Sequence, residues 1–495
     1  MASYRTTRRD FLKCLGLGTI AIAHPVIQSS CKRKKPLNVV VLFTDDQRFD
    51  TIRALGNRFI HTPHMDSLVQ RGTAFTHATI MGGTSGAVCM PSRAMLLTGR
   101  GLFHIEGTGE RIPSGHVMMP ELFKGLGYRT FGIGKWHNGR EAFARCFTGG
   151  EEIMFGGMSD HWNVPAYAFD PGGRYERRTP VIEKPFSSNE ITYKGYDHIA
   201  DGKHSSELFA DAACRFLEEG ESAAPFFLYV AFTAPHDPRT APQEFMDRYD
   251  PEQMPLPPNF LPQHPFDNGE MSVRDELLAG LPRTPEEIRR HLAEYYAIIS
   301  HLDAQIGRIL DTLERVGRAE DTLVVFAADN GLALGQHGLM GKQSVYDHSV
   351  RVPLIFCGPG IPRGEVRRDF CYLSDIVRTV CDLAGIRAPA SVEGESLVPS
   401  IRNLAGDRRE ALYFAYRHFQ RALRTKRWKL ILYNVRGEKR AQLFDLESDP
   451  WEMNDLARDP SQAGRIREMA GMLRSLMAEA GDPVRLDEPD WGVAR

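Results

Sequence analysis

The chain has 495 residues, 42% of them hydrophobic, and its 61 Lys and Arg nearly balance 63 Asp and Glu. That length suits one large α/β domain plus a smaller one, with enough apolar residues for a sizeable core. A net charge of −2 excludes a global basic field for nucleic acid, and no apolar run in the body is long enough to be a transmembrane segment.

Residues 1–35 read as an export signal and linker. Arg8-Arg9-Asp10-Phe11-Leu12-Lys13, followed by a short apolar run from Cys14 to Ala23, resembles a bacterial twin-arginine signal. The expected destination is the periplasm or the exterior. Cys31 follows Gln28-Ser29-Ser30, as in a lipoprotein processing site, but Gln28 stands where that pattern takes Leu or Val, so lipidation is the lesser reading. The eight cysteines show no CxxC pair and no zinc-type spacing. A chain folded in a reducing compartment keeps most of them as free buried thiols.

Residues 37–43 (LNVVVLF) predict a buried parallel strand ending at Asp45-Asp46. A short helix follows at 64–71. Pro91 suits the first turn of a helix running to about Thr98, because that position needs no N–H. Residues 128–133 form a second strand, leading to Lys135 and His137, and 226–232 a third, leading to His236. Residues 284–316 are helical, with Thr284 as N-cap. Strands at 323–327 and 352–356 follow, the first ending at Asp329-Asn330. This alternation predicts a mostly parallel sheet flanked by helices across a catalytic domain at 36–400. Over 401–495 the pattern changes to short strands at 411–416, 424–433 and 442–445, then a helix at 462–480, predicting a smaller antiparallel subdomain.

Four strand ends thus carry polar residues, and in a parallel sheet such ends meet on one rim. Asp45, Asp46, Asp329 and Asn330 form an all-oxygen donor set suited to Ca²⁺ or Mg²⁺ rather than zinc. Arg93, Lys135, His137, His236 and Lys342 supply the positive groups that an anionic tetrahedral substrate needs.

The stretch VCMPSRAMLLTGR at 88–100 resembles the signature of type I sulfatases, with Cys89, Pro91, Ser92, Arg93, Thr98, Gly99 and Arg100 at that family's spacing. Gly127 to His137, Ala234-Pro235-His236, Asp329 to Lys342 and Asp445 to Pro450 resemble its other blocks. The resemblance implies the alkaline-phosphatase-like fold and hydrolysis of sulfate esters. It implies that a formylglycine-generating maturation enzyme oxidises Cys89 to an aldehyde. The hydrate of that aldehyde attacks sulfur with one hydroxyl and expels sulfate through the other. It further implies that Asp45, Asp46, Asp329 and Asn330 bind Ca²⁺, that Arg93 steadies the hydrate and that His137 is the base. Lys135, His236 and Lys342 would hold the sulfate, with His236 or Lys342 protonating the leaving oxygen.

Specificity is less legible. The loop around Gly156-Gly157-Met158 to Trp162 mixes flexible backbone with polar and aromatic groups, which singles out His161 as a sugar contact. Residues 417–440 hold a dense group of Arg and Lys; alternating outward positions of a sheet account for most of them, and His418, Gln420 and Arg421, at an expected strand turn, are the best substrate contacts. The preferred substrate is a sulfated carbohydrate. Choline sulfate, aryl sulfates, a phosphodiesterase or phosphonate monoester hydrolase on the same fold, and a non-catalytic glycan binder are the alternatives.

Overall fold

The computed structural model describes residues 35–184, 186–220, 224–404, 409–489 and 491, so the twin-arginine motif and Cys31 lie outside the described residues. Asn38–Thr44 is buried along its whole length at the centre of an eight-stranded sheet. It runs parallel to Phe226–Ala231 on one side and to Thr322–Ala328 on the other. Arg129–Trp136 and Gly149–Phe155 extend the parallel part beyond Phe226–Ala231. Beyond Thr322–Ala328 comes Leu354–Cys357, which is antiparallel to it, and then Gly72–Phe75 and Glu365–Arg367. The sheet is therefore mostly parallel. Its one reversal follows from a connection whose only helix is Asp347–Val350, too short for a crossover.

Alternate residues of the central strand feed the two faces. Val40 and Leu42 pack with Pro63–Arg71, Ser205–Glu218 and the long helix Pro285–Arg315; Val39, Val41 and Phe43 pack with Cys89–Thr98 and Asp375–Ala384. Thr284 caps the long helix by accepting from the Glu287 N–H, with Pro285 in the first turn. Among the described residues no helix is long and apolar enough to cross a membrane.

The second sheet has five strands in the order Glu438–Asp445, Trp428–Val435, Gln420–Thr425, Ala411–Tyr416, Gly82–Gly83, with Ala463–Glu479 packed on it. The expected single strand at 424–433 is two strands joined at Lys426-Arg427. No Gly or Pro marks that turn; the Thr425 hydroxyl closes it, accepting from Trp428 N–H at 2.9 Å. Gly82–Gly83 pairs parallel with Ala415–Tyr416 and ties this sheet to the chain just ahead of Cys89. Gly82 has φ +101°, and a Cβ there would sit 2.0 Å from the Ala415 carbonyl oxygen, so only glycine fits.

Candidate active site

Asp45-Asp46, Asp329-Asn330, Lys135-Trp136-His137 and His236 all stand at or just past the C-terminal ends of neighbouring parallel strands. Backbone bonds lock these ends together: Asp45 N–H donates to Ala234 and Asp329 N–H to Thr44, each at 3.1 Å. The Asp46 N–H donates to Asp329 Oδ1 at 3.0 Å, which holds Asp46 in a left-handed conformation, φ +62°. A register shift at Ile133/Gly134, with Gly134 at φ +82°, directs the end of its strand toward Asp45.

The carboxylates lie in a shell of cations. Lys135 Nζ hydrogen-bonds Asp45, and Lys342 Nζ lies 2.6 Å from Asp46 Oδ1. Arg93 meets Asp329 Oδ2 at 2.9 Å through Nε, and the Ser92 hydroxyl donates to the Asp329 carbonyl at 2.6 Å. His236 Nε2 is 3.7 Å from Asp46 Oδ2. Burial works against charge on Asp45, yet Lys135, His236, Arg93 and Lys342 hold its carboxyl well below the usual range. Burial and the Asp45 carboxylate push Asp329 the other way, upward.

Two acceptors remain unmatched: Asp45 Oδ1 and Asn330 Oδ1 are buried without a hydrogen-bond partner. Ligand atoms of Asp45, Asp46 and His236 lie within 4.8 Å of one another, as do those of Asp45, Cys89 and Asp329. Orphaned oxygens beside three buried carboxylates are the donor chemistry of a hard divalent cation.

Cys89 opens its helix beside this cluster. Its Sγ is 3.4 Å from His137 Nδ1 and 3.9 Å from Lys135 Nζ. Burial pushes the thiol up to about 11 against the pull of Lys135 and Lys342, so it is a poor thiolate nucleophile at neutral pH. Burial, Lys135 and Arg93 lower His137 to about 3, leaving a neutral imidazole beside the thiol. A cavity of about 310 Å³ opens over Cys89, lined on its charged side by His137, His236 and Lys342. Arg100, the last residue of the motif, donates instead to the His104 carbonyl at 2.6 Å beyond the helix end.

None of the expected substrate contacts lines this cavity. His161 is 1% exposed, its Nε2 donating to the His236 carbonyl at 2.9 Å and its Nδ1 2.7 Å from Ser205 Oγ. It braces His236 from behind rather than facing the cavity. Arg421 is 1% exposed and is paired with Asp482 through Nε and Nη2. His418 is exposed at the tip of the hairpin between Ala411–Tyr416 and Gln420–Thr425, its ring tilted against Phe419, and does not line the cavity. Much of the basic group at 417–440 is neutralised internally: Arg417 pairs with Glu270, Arg424 with Asp347, Arg427 with Asp445, and Lys429 with Asp347 and Glu452. His337, unassigned from the sequence, stacks on Tyr346 at 4.0 Å and lies 4.0 Å from Glu452.

Gly157 and Met158 of the expected sugar loop do line the cavity, and the rest of the lining, Gly86, Ala87, Val273, Arg274, Asp275 and Gln343, carries no signal that the sequence reading used. Gln343 adjoins Lys342, so a neighbour search finds it. Arg274 and Asp275 carry no motif.

The sulfatase family model matches residues 37–386, and a model described as the C-terminal region of N-sulphoglucosamine sulphohydrolase matches residues 335–479. An ulvan-active sulfatase of Formosa agariphila is 29% identical over 95% of this chain and 89% of its own. An N-acetylglucosamine-6-O-sulfatase of Bacteroides thetaiotaomicron is 24% identical over 96% of this chain and 91% of its own. A solved structure bound to its substrate D-glucosamine-2-N,6-O-disulfate superposes with a TM-score of 0.73 at 22% identity, covering 93% of this chain and all (100%) of that one. A phosphonate monoester hydrolase of Agrobacterium radiobacter shares the fold at a TM-score of 0.69 and 23% identity, over 90% of this chain and 96% of its own. With a family match across most of its length and the strand-end cluster beside Cys89, this chain belongs to the sulfatase family, enzymes that hydrolyse sulfate esters.

Proposed function

We propose that this sulfatase removes sulfate from a sulfated carbohydrate, using formylglycine made from Cys89 and a calcium ion held by Asp45, Asp46, Asp329 and Asn330. The observation that carries this reading is the pair of unmatched buried oxygens, Asp45 Oδ1 and Asn330 Oδ1, next to a cysteine in an intact maturation motif. The aldehyde hydrate supplies a two-hydroxyl carbon, and the cation supplies charge opposite the sulfate oxygens. The chain's own groups do the rest. Lys135 and Lys342 hold the anion, neutral His137 beside Sγ accepts a proton, and Arg93 orients Asp329. His236 and Lys342 both line the cavity and are the groups able to protonate the departing alcohol oxygen. The net change is R–O–SO₃⁻ + H₂O → R–OH + HSO₄⁻.

The names of the relatives support the carbohydrate class, since one is ulvan-active and one acts on N-acetylglucosamine-6-O-sulfate. Export through the twin-arginine motif fits the maturation chemistry, because the aldehyde then forms before the folded enzyme leaves the cytoplasm. Peptide mass spectrometry across 88–93 of protein made with its maturation enzyme, coupled to sulfate release from sulfated sugars, tests the reading. Formylglycine at Cys89 with sugar desulfation is expected. An intact thiol in active enzyme, or turnover of phosphodiesters in preference to every sulfate ester, overturns it.

A further inference from the structure

We propose that Asp275, Gln343 and Arg274 form a hydroxyl-recognising rim that selects a sugar carrying a free ring hydroxyl near its sulfate ester. This rests on the carbohydrate reading above and says what in the chain enforces it.

The argument starts from a mismatch of charge. The cavity carries the cation an anion site needs, Lys342, together with the His236 and His137 rings in its lining. One wall nevertheless carries a carboxylate. Asp275 is 8% exposed and Gln343 6%, and both line the same cavity. Burial opposes charge on Asp275, but Lys342 and the Gln343 amide outweigh it and hold the carboxyl below its ordinary value. An ionised carboxylate can only accept hydrogen bonds, and facing the sulfate it repels the ligand's anionic end. It favours binding only if the ligand also brings donors.

The rim is built to present that acceptor rigidly. Asp275 Oδ1 takes the Arg274 Nη1 donor at 3.2 Å, and Oδ2 takes Gln343 Nε2 at 2.7 Å. Gln343 Nε2 also donates to the Gly86 carbonyl at 2.9 Å, and its Oε1 accepts the Lys342 N–H at 2.9 Å. Arg274 is anchored in turn by a bidentate pair with Asp237, next to His236. The chain therefore holds the carboxylate in register with both Lys342, which grips the sulfate, and the loop that leads into Cys89. Each carboxylate oxygen keeps acceptor capacity beyond its one donor. Gly157 and the half-exposed Met158, in the same lining, offer an apolar surface for the C–H face of a ring. A cavity of about 310 Å³ is at the single-ring end of ligand pockets. Aryl sulfates and choline sulfate bring no hydroxyl donors to this wall.

The test compares 4-nitrophenyl sulfate with glucosamine 6-sulfate and its 4-deoxy analogue, using matured enzyme and its Asp275→Asn variant. In the parent enzyme, removing the 4-hydroxyl should lower kcat/KM at least tenfold, mostly through KM. In Asp275→Asn, the ratio of kcat/KM for glucosamine 6-sulfate over 4-nitrophenyl sulfate should fall at least tenfold, and the penalty for the 4-deoxy analogue should shrink to under threefold. The deoxy comparison in the parent stands even if the variant fails to fold. Equal losses on both substrates, or a 4-deoxy analogue cleaved as well as its parent sugar, overturns the rim and leaves the carbohydrate reading in place. Turnover of the aryl sulfate with none of glucosamine 6-sulfate or of any other sulfated sugar overturns both.

Discussion

Two charge-rich regions of this molecule look alike in sequence and differ in kind. The rim of strand ends holds Asp45, Asp46, Asp329, Lys135 and Lys342; the C-terminal segment 417–440 holds a denser set of Arg and Lys. In the second, Arg417, Arg421, Arg424 and Lys429 have buried carboxylates as partners, so the charge there ties the C-terminal sheet to the loops and helix ends packed against it. In the first, the cations and carboxylates are also paired, yet Asp45 Oδ1 and Asn330 Oδ1 remain unmatched. Charge density therefore does not mark a site; unmatched acceptors of neighbouring strand ends, gathered beside a cysteine that lines a cavity, point to one.

Breaking each region should separate the two kinds. Cys89→Ala should abolish sulfate-ester hydrolysis by at least about a thousandfold while the melting temperature stays put, read by sulfate release and calorimetry. Arg421→Met should do the reverse, stranding Asp482 in the interior at a cost of about 3 kcal/mol in urea unfolding while KM for the sulfated sugar is unchanged. A raised KM with full stability would instead make Arg421 a substrate contact. Saturating Ca²⁺ at a hundredfold excess over Kd should stabilise chelator-treated enzyme by about 2.7 kcal/mol, and Asp45→Asn should remove that gain. The same titration on Arg421→Met should keep it.

A finer contrast concerns pH. Burial lowers His161 to about 4, His204 to about 2 and His301 to about 3, and these rings pack against one another behind His236. Each histidine's folded value lies below its unfolded one, so the unfolded chain binds more protons. The stability they contribute is full above about pH 6.5 and is lost as pH falls through the window below it. His204 also caps Ser205–Glu218 by accepting from the Ser206 N–H, which Asn can mimic. His204→Asn should reduce the slope of unfolding free energy between pH 6 and 5 by about 1.4 kcal/mol per pH unit. The smallest effect is expected at the outer end of the basic segment. Arg440 pairs only with exposed Glu438 and with the Phe266 ring, and Arg440→Ala should change kcat/KM on a polysulfated glycan less than about twofold.

The legible part of the site was the part written locally. Asp45-Asp46 after an unbroken apolar strand, Pro91 in a helix's first turn and His236 after FFLYVA each announce themselves within a dozen residues. The illegible part depended on partners far away. His161 lies 75 positions from the carbonyl it braces, and Arg421 lies 61 from Asp482. Both are held by buried partners rather than facing the cavity, and a polar residue in a glycine-rich or basic stretch reads the same in either setting. Arg274 and Asp275 were overlooked for a related reason: they sit in the short 3₁₀ segment Arg274–Leu278, without periodicity or motif, and become a wall only where that segment meets Gln343.

By itself the sequence determined the alternation of strands and helices, the polar residues at four strand ends and the cysteine motif, because hydrophobic periodicity, proline geometry and capping act over one or two turns of chain. Tertiary structure alone decided which charges cancel. It made Leu354–Cys357 antiparallel, split the basic run into two strands, brought Gly82–Gly83 into the C-terminal sheet and left Asp45 Oδ1 and Asn330 Oδ1 without donors. The physical reason is that hydrogen-bond saturation and burial are properties of packed neighbours, and those neighbours come from segments up to hundreds of residues apart.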